Sequence, residues 1–558
     1  MKRWRSAWAV GMAAALGLAA VGVARAGQPD PERQIVVYKD GAKARKAVEA
    51  AGGKVIRELT KLNALAVKVP AGALAKLRAN AAIELVEQDA PRYPLSVRAP
   101  SPTGPQVTPW GIDAVTADPQ LDTGKIPVCI IDSGYDKGHE DLQTKRVTAS
   151  PDPGTGDPFH DGSHHGTHVA GTISALDNAI GVVGVNGNGV LPIHIVKLFG
   201  DDGEYAYSSD LADAVGKCID EGHAKVINMS LGGGTPTATE KKALDNALAN
   251  NVLPIAAAGN DGNSRKSYPA AYDSVMSVAA VDSALAHASF SQFNDDVEIA
   301  GPGVAVRSTV PKAQGSEVRL APTVVLNTKN GMVAEFEAAA LQGSAIADVT
   351  APLFRCNAVD GLGSPGDCAG ASGKLCVIER GTITFVEKVK ECKRSGGLGA
   401  VIFNNSDALF TGTLEGVDAN IVIPAVSVAG TAGPTLEYLE GDEFELAVGK
   451  GNYDFFDGTS MATPHVVGVA AAVWSQNTAC KARDIRALLD YTAQDVDAPG
   501  RDVNTGYGVV NMMNALAHLD CDGKQEACTL KQKGAACSSM SECCSGVCQT
   551  KGGNKTCQ

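Results

Sequence analysis

The chain has 558 residues, of which 44% are hydrophobic, and a formal net charge of −13 at pH 7. This length exceeds what one hydrophobic core organises, so several domains are expected. The acidic balance argues against a nucleic-acid partner. Beyond the first residues no stretch is long and apolar enough to span a bilayer, which predicts no membrane partner for the mature protein.

The first residues have the three-part layout of a secretory signal peptide. Basic residues precede an Ala- and Leu-rich run, and Ala24-Arg25-Ala26 offers a small-residue cleavage site. A membrane anchor is the alternative, but the run is rich in alanine and polar residues follow directly. We predict that residues 1–26 are a signal peptide and that the protein is secreted, so disulfides are the expected state of its 14 cysteines.

A basic segment follows the signal. Residues 27–98 carry 13 Lys and Arg against 8 Asp and Glu, a formal charge of +5, so they would dock electrostatically on the acidic remainder. Strand-like runs at 34–39, 64–69 and 83–87, separated by helix-like stretches, predict a small α+β unit in the order β-α-β-α-β.

The body of the chain alternates apolar strands with helical patterns. This alternation predicts an α/β fold with a mostly parallel sheet and helices on both faces. In such sheets the working site lies at the carboxyl ends of the strands. The predicted strands are 126–131, 194–198, 225–229 and 252–258, and the predicted helices are 166–176, 207–221 and 237–250.

Candidate catalytic side chains lie at strand ends and helix starts of this body. Asp132 directly follows a buried strand, His165 opens a Gly-punctuated helix, and Asn260 follows another strand. Ser460 begins an apolar helix, where free backbone N–H groups and the positive end of the helix dipole meet its side chain. The motifs around these four residues, in this order, resemble the signature motifs of the subtilisin-like serine proteases.

The resemblance implies a serine endopeptidase that hydrolyses peptide bonds in protein or peptide substrates through an acyl-enzyme. Asp132 would orient His165, which takes the proton of Ser460 as that serine attacks the scissile carbonyl. The Asn260 amide and the Ser460 backbone N–H would hold the oxyanion. A non-catalytic binding protein is the opposing class, but it would have lost one of the three triad residues.

The resemblance also divides the chain. Residues 27–100 are similar to an inhibitor-type propeptide, which would assist folding and act as an intramolecular inhibitor until it is cut between Tyr93 and Gln106. An N-terminal domain that stays attached is the alternative. The catalytic domain would cover 104–310 and 451–520, and the mature enzyme is expected to be a monomer.

Three histidines share one motif, so the assignment of the base needs a reason. The family's base is the first histidine of His-Gly-Thr-His, which is His165 in this chain. His164 is then a neighbour and His168 a packing residue, and His465 is expected to be buried and structural. A His-x-x-His metal pair is the alternative, but no third ligand lies at a helpful spacing.

The resemblance further implies how substrate is bound. A peptide would bind as an added strand, held by main-chain hydrogen bonds with little side-chain selectivity, and residues 267–269 would close the far side of its main pocket. A kexin-type protease would need acidic clusters there, and only Asp261 qualifies, so we expect broad specificity with an apolar preference. The implied substrate-binding residues are Ser230, Leu231, Gly232, Gly203, Glu204, Tyr205, Gly259 and Asp261.

A structural calcium site is implied as well. Residues 176–182 resemble the family's calcium loop at the matching distance from the catalytic histidine, and an all-oxygen ligand set suits a hard cation. An ordinary loop after a helix is the alternative. The implied ligands are the side chains of Gln106, Asp141 and Asn178 and the carbonyls of Leu176, Ile180 and Val182.

A segment of about 140 residues, 311–450, lies between the motif of Asn260 and the motif of Ser460. Its segments 373–381, 397–405 and 423–428 resemble a β-rich protease-associated domain, which would restrict access or hold substrate; a purely structural insertion is the alternative. Four cysteines give it two possible disulfides: Cys356, Cys368, Cys376 and Cys392. Cys129 and Cys218, in the predicted core, are either a pair or two small buried hydrophobic residues.

The tail at 527–558 contains six cysteines around an adjacent pair, Cys543-Cys544. So short a chain cannot bury an adequate core, so disulfides would hold it together. The pattern resembles a cystine-knot miniprotein, which favours pairing of the first with the fourth, the second with the fifth and the third with the sixth. Cys480 and Cys521 would then be left for each other. Zinc is the rival interpretation, but no histidine lies in this tail.

Overall fold

The computed structural model describes residues 30, 32–95, 97–100, 106–201, 205–323, 326–328, 331–333, 335–356, 367–414, 423–521, 548–551 and 554–557. The predicted signal peptide and most of the predicted tail lie outside these residues. Within the described part of the chain, no helix combines the length and hydropathy that a membrane span needs.

The N-terminal unit is a four-stranded antiparallel sheet in the order β2-β3-β1-β4 with two helices. The predicted order β-α-β-α-β is wrong in one respect, because β2 was not expected. Along β2 the exposed Ile56 and the half-buried Arg57 reverse the usual alternation of polar and apolar residues. The elements are β1 (Arg33–Tyr38), α1 (Gly41–Ala50), β2 (Lys54–Leu59), β3 (Ala64–Lys68), α2 (Leu74–Arg78) and β4 (Ile83–Gln88).

The body is built on a seven-stranded, all-parallel sheet in the order β15-β14-β13-β11-β7-β9-β8. All predicted strands and helices of the body appear within two residues of their expected bounds. The elements up to the insertion are β5 (Pro91–Pro94), β6 (Val97–Pro100), α3 (Trp110–Ala114), β7 (Val128–Asp132), β8 (Val147–Ser150), α4 (His165–Ser174), β9 (Ile193–Lys197), β10 (Ala206–Tyr207), α5 (Ser208–Asp220), β11 (Val226–Met229), β12 (Leu231–Gly232), α6 (Ala238–Ala249), β13 (Leu253–Ala257), β14 (Met276–Val281), β15 (Ile299–Pro302) and β16 (Val306–Thr309).

The insertion has its own mixed seven-stranded sheet, in the order β17-β25-β21-β22-β23-β24-β20, and its own apolar clusters. Its elements are β17 (Gly315–Pro322), β18 (Leu326–Thr328), β19 (Gly331–Val333), β20 (Ala338–Ala340), β21 (Ala347–Arg355), β22 (Leu375–Glu379), α7 (Phe385–Arg394), β23 (Gly399–Phe403), β24 (Ala425–Val428), α8 (Gly433–Tyr438) and β25 (Glu443–Gly451).

The chain returns from the insertion into the body through β26 (Tyr453–Asp457), α9 (Thr459–Gln476), α10 (Ala482–Thr492) and α11 (Met512–Ala517). Helix α9 is buried on all sides from Thr459 to Ser475 and packs against the central sheet. On the opposite face of that sheet, α5 and α6 enclose a second apolar cluster, which also includes Ile35, Leu59 and Leu62 of the N-terminal unit. The predicted layers on both faces are therefore confirmed.

Four disulfides are formed among the described residues. Cys129–Cys218 joins β7 to α5, so the two cysteines are a pair and not separate buried thiols. The insertion is bridged by Cys356–Cys368 and Cys376–Cys392, and Cys480 pairs with Cys521 as expected. The described ends of the tail are two antiparallel strands, β27 (Cys548–Lys551) and β28 (Asn554–Cys557).

Candidate active site

A hydrogen-bonded carboxylate and imidazole lie at the carboxyl end of the central sheet. Asp132 is the last residue of β7, and its Oδ1 accepts a hydrogen bond of 2.7 Å from Nδ1 of His165, the first residue of α4. Both side chains are buried. Because Nδ1 carries the donated proton, Nε2 is left as the basic nitrogen, and no described group is hydrogen-bonded to it.

The entry into α4 is held by a carboxylate that the sequence analysis did not select. Asp161 accepts hydrogen bonds from the backbone N–H groups of Ser163, His164 and Thr167 at 2.8–3.2 Å. His164 adopts a left-handed conformation with φ +73° to make this turn. The signal for Asp161 is its place in front of the helix, where carboxylates satisfy free N–H groups.

Ser460 lies at the N-terminus of α9 and is buried. Its Oγ donates to the carbonyl of Ser230 at 2.8 Å, and Ser230 Oγ donates to the Ser460 carbonyl at the same distance. The structure therefore pairs Asp132 with His165, whereas the hydroxyl of Ser460 is turned to Ser230.

Asn260 follows β13, and its side chain has a fixed orientation. Its Oδ1 accepts from both the backbone N–H and the hydroxyl of Thr459, at 2.9 and 2.8 Å. The amide nitrogen is thereby directed outward and donates to the carbonyl of Leu95 at 2.9 Å. A side-chain amide beside a peptide carbonyl is the arrangement that stabilises an oxyanion. Gly259 has φ +114°, and any Cβ there would collide with Gln292.

Leu95 directly follows a strand of the chain's own N-terminal segment. Strand β5 lies between β10 and β12 and is antiparallel to both. The edges that the sequence analysis assigned to substrate therefore hold an extended peptide. Tyr205 contacts the ring of Tyr93, with ring centroids 6.0 Å apart, while Gly203 and Glu204 lie outside the described residues.

The side chain of Leu95 lies close to Gly232 and Ser267. A Cβ added to Gly232 would approach the Leu95 side chain to 3.1 Å and Ser267 Oγ to 2.4 Å, so both line the same space. The role of residues 267–269 in closing a substrate pocket stays a prediction. Asp261 is exposed at the surface.

Beyond the pocket, the N-terminal unit docks on α5 and α6 through carboxylates. Asp89 accepts from the Ser209 backbone N–H at 2.9 Å, and Glu87 accepts from the N–H groups of Ala238 and Thr239 at 2.7 and 3.0 Å. Carboxylates at these positions are stabilised by the positive ends of both helix dipoles.

Charge complementarity adds to the docking. Arg57 forms ion pairs with Asp152, Asp210 and Asp213 at 2.6–3.2 Å and is largely buried. Lys61 pairs with Asp220 in an exposed position. The basic segment thus lies on acidic groups of the body, as its charge predicts.

Hydrogen bonds link some of the implied calcium ligands to one another. Asp141 is buried; its Oδ2 accepts from the Val182 N–H at 2.9 Å, and its Oδ1 has no hydrogen-bond partner. Burial raises the pKa of Asp141 to about 7. Gln106 Oε1 accepts from the N–H groups of Asn178 and Ala179 at 2.7 and 2.8 Å. A buried carboxylate oxygen without a hydrogen-bond partner, next to the loop that contains Val182, fits a hard cation.

Two of the other histidines of the motifs, His168 and His465, are packing residues. His168 Nε2 faces the carbonyls of Val306 and Asp454, and its ring stacks on Phe456 with centroids 4.1 Å apart. His465 Nδ1 faces the carbonyl of Met461 at 2.8 Å. Burial lowers the pKa of His168 to about 3 and that of His465 to about 4.

Comparisons with known proteins agree with this geometry. The subtilase family model matches residues 123–337 and 398–508, more than half of the chain. The PA domain model matches residues 347–436, and the fervidolysin N-terminal prodomain model matches residues 31–89.

Individual relatives are similar over long stretches. Subtilisin amylosacchariticus from Bacillus subtilis subsp. amylosacchariticus is 36% identical over 292 residues, which cover 50% of this chain and 72% of that protein. A psychrophilic subtilisin-like protease from the Antarctic Pseudoalteromonas sp. AS-11 is 41% identical with a TM-score of 0.65, covering 74% of this chain and 98% of that one. Fervidolysin from Fervidobacterium pennivorans, at 24% identity and a TM-score of 0.55, shares the fold over 90% of this chain and 62% of its own.

The fold and these matches define the protein as a serine endopeptidase, a hydrolase with an N-terminal prodomain. Within that class, the chain belongs to the subtilase family, and a PA domain interrupts its catalytic domain.

The docking contacts predict which side chain retains the prodomain. In the uncleaved precursor, we expect Arg57→Ala to weaken docking by at least about 2 kcal/mol, because it leaves the buried Asp152 and the half-buried Asp210 and Asp213 without their cation. Hydrogen exchange across β1–β4 should accelerate roughly 30-fold. Lys61→Ala removes an exposed ion pair and should change the hydrogen-exchange rate little. Equal effects of the two substitutions on exchange would contradict the conclusion that Arg57 contributes more to docking than Lys61.

The buried histidines predict a loss of stability in acid. An unfolded histidine has a pKa of about 6.5, above the values of His168 and His465, so the unfolded state binds more protons as the pH falls from about 6.5 towards 4. The melting temperature should fall across this range, and less steeply in His465→Gln. The exposed His223→Gln is the control. If the melting temperature of His465→Gln fell with pH as steeply as that of wild type, buried His465 would not be a cause of the loss of stability in acid.

Proposed function

We propose that this protein is a secreted serine endopeptidase, made as an inactive precursor, with Asp132, His165 and Ser460 as its triad. The observation that carries the proposal is the hydrogen bond from the Asn260 amide to the carbonyl of Leu95, the residue that directly follows the bound strand β5. The hydrogen bond between Asp132 and His165 supports it. The proposed domains are a signal peptide (1–26), a propeptide (27–100), a catalytic domain (104–310 and 451–520), the inserted domain (311–450) and the tail (527–558).

In this proposal the chemistry starts with a rotation of Ser460 Oγ from the Ser230 carbonyl towards Nε2 of His165. The oxygen attacks the scissile carbonyl carbon and its proton passes to Nε2, while Asp132 keeps the imidazolium oriented. The Asn260 amide and the Ser460 backbone N–H hold the oxyanion. His165 then protonates the leaving amine, and water hydrolyses the acyl-enzyme by the same steps in reverse.

The first bond cut would be the peptide bond from Leu95 to Ser96. Its carbonyl is the one that Asn260 binds. The proposed cleavage site is therefore this single bond, within the interval from Tyr93 to Gln106 that the sequence predicts. Beyond the bond, β6 pairs with β26, so the chain is held on both sides of it. Leu95 also supports an apolar preference at the residue that supplies the scissile carbonyl, within otherwise broad specificity.

The PA domain is proposed to modify access to the site. Strand β25 leads into β26, which ends two residues before Thr459. Asp457, the last residue of β26, accepts from the hydroxyl of Thr411 in the insertion and from the Ala305 N–H. The insertion is therefore tied to the segment that carries Ser460. A purely structural insertion is the alternative.

We propose further that calcium binds at Gln106, Asp141, Asn178 and the carbonyls of Leu176, Ile180 and Val182. The support is the buried Asp141 oxygen without a partner. Bound calcium would neutralise this carboxylate and tie the loop to the N-terminal part of the body. Its role would be structural, because a ligand that binds only the folded state raises stability by mass action.

Removal of the nucleophile tests the proposed function. Ser460→Ala should abolish labelling by a serine-reactive phosphonate, cleavage of peptides and conversion of the precursor. Asn260→Ala should retain labelling but lose on the order of 10²–10³ in kcat, the cost found for such an amide in subtilisin. Wild-type activity should be lost in acid, because a general base must be unprotonated to accept the proton of the nucleophile. Equal labelling of wild type and Ser460→Ala, or activity confined to acid, would refute the assignment.

Chelation tests the calcium proposal. Calcium at 100 times its dissociation constant should stabilise the mature protein by about 2.7 kcal/mol, so a chelator should lower the melting temperature. The response should disappear in Asp141→Asn. It should persist in Asp245→Asn, which alters an exposed carboxylate on α6. A wild-type melting temperature that ignores both calcium and chelator would rule the site out.

A further inference from the structure

Arg92 enters the protease body three residues before Leu95, and its side chain is fully buried. Its Nε and Nη2 donate to the two carboxylate oxygens of Glu240 at 2.9 and 2.8 Å. Nη2 also donates to the carbonyl of Thr235 at 3.0 Å, and Nη1 donates to the carbonyl of Pro91 at 2.8 Å. This bidentate arrangement matches the planar guanidinium and not the point charge of a lysine.

Apart from the Pro91 carbonyl, the groups that bind the guanidinium belong to the protease and not to the prodomain. Glu240 lies in the first turn of α6, and the segment from β12 to α6 also supplies Thr235. Gly233 leaves room for the guanidinium, because a Cβ there would approach Arg92 Nη1 to 3.2 Å and the Pro91 carbonyl to 2.5 Å. The pocket is therefore a continuation of the β12 edge that binds an extended peptide.

The side chains of β5 are buried to different extents. Tyr93, between Arg92 and Leu95, is 38% exposed, and Pro94 is half-buried. Arg92 is inserted more deeply than any other residue of the strand. Selectivity for a bound peptide should therefore come from this position as well as from the Leu95 pocket.

Glu240 has a strong requirement for a cation. It is fully buried, and burial raises the pKa of its carboxyl above the usual range. Among the residues that the structure describes, Arg92 is the one cationic side chain within 4 Å of this carboxylate. A buried carboxylate is costly unless it is paired. Once the prodomain has left, an arginine of a substrate would restore the pair, whereas a neutral residue would not.

Glu87 and Asp89 also contact the body, but they differ from Arg92 in position. They precede the bound strand and cap α5 and α6, so no substrate residue needs to replace them. Arg92 lies within β5 itself, in the cleft that every substrate strand must cross. A docking contact there is also a contact with substrate.

We infer that Glu240 is a specificity-determining residue, and that the mature protease prefers peptides with arginine three residues before the residue that supplies the scissile carbonyl. The inference rests on the proposed function and gives it a substrate class. Residues 91–95 are the template of the preferred substrate: an arginine in the Glu240 pocket and an apolar side chain in the Leu95 pocket.

The test compares two fluorogenic peptides on the mature enzyme, one with the sequence of residues 89–99 and one that differs only by leucine at the position of Arg92. Wild type should cleave the arginine peptide with kcat/KM at least tenfold higher. In Glu240→Leu, prepared from a precursor that also carries Arg92→Leu so that the prodomain still fits, the ratio should fall to about one. Cleavage of the leucine peptide should persist. Asp245→Asn, on an exposed face of α6, should keep the wild-type ratio.

A wild-type ratio near one, or a ratio unchanged by Glu240→Leu, would overturn the inference while leaving the protease activity intact. Failure of the wild-type enzyme to cleave either peptide would contradict the proposed function, and the inference would fall with it. Cleavage of a peptide library by wild type alone gives a second measurement that needs no folded variant. Enrichment of arginine three positions before the scissile residue supports the pocket, and its absence counts against it.

Discussion

The N-terminus of the buried helix α9 is the constraint on which the active site depends. The helix packs in the apolar cluster on one face of the central sheet, and its first residues cannot move without disturbing that core. Thr459 fixes the Asn260 side chain through two hydrogen bonds, and Ser460 is linked to Ser230 by two more. The helix thus positions the proposed nucleophile and the proposed oxyanion donor with the same turn of backbone.

Much of this site could be predicted from the sequence because its elements follow strong local rules. Apolar strands followed by polar residues place Asp132 and Asn260 at carboxyl ends of a parallel sheet, and Gly-punctuated helix starts mark His165 and Ser460. Strand β2 was missed for a physical reason. Arg57 points towards carboxylates of the body, so the hydrophobic alternation that signals a strand is absent.

Glu240 could not be recognised from the sequence for a different reason. Thr237 and Glu240 have the spacing of a helix capping box, in which the glutamate would serve only its own helix. Thr237 does accept from the Glu240 N–H, but the carboxylate turns to Arg92, which lies 148 residues earlier in the chain. The pairing of Cys129 with Cys218 was undecided for the same reason, since it depends on the packing of α5 against β7.

Strands β5 and β6 lie on either side of the bond that is proposed to be cut, and each is held by its own sheet partners. Hydrolysis of that bond would break none of those pairings and would not disturb the caps on α5 and α6. The cleaved prodomain would remain in the cleft as a bound product. The rate at which activity appears would then be set by dissociation of the folded prodomain and not by hydrolysis of the peptide bond.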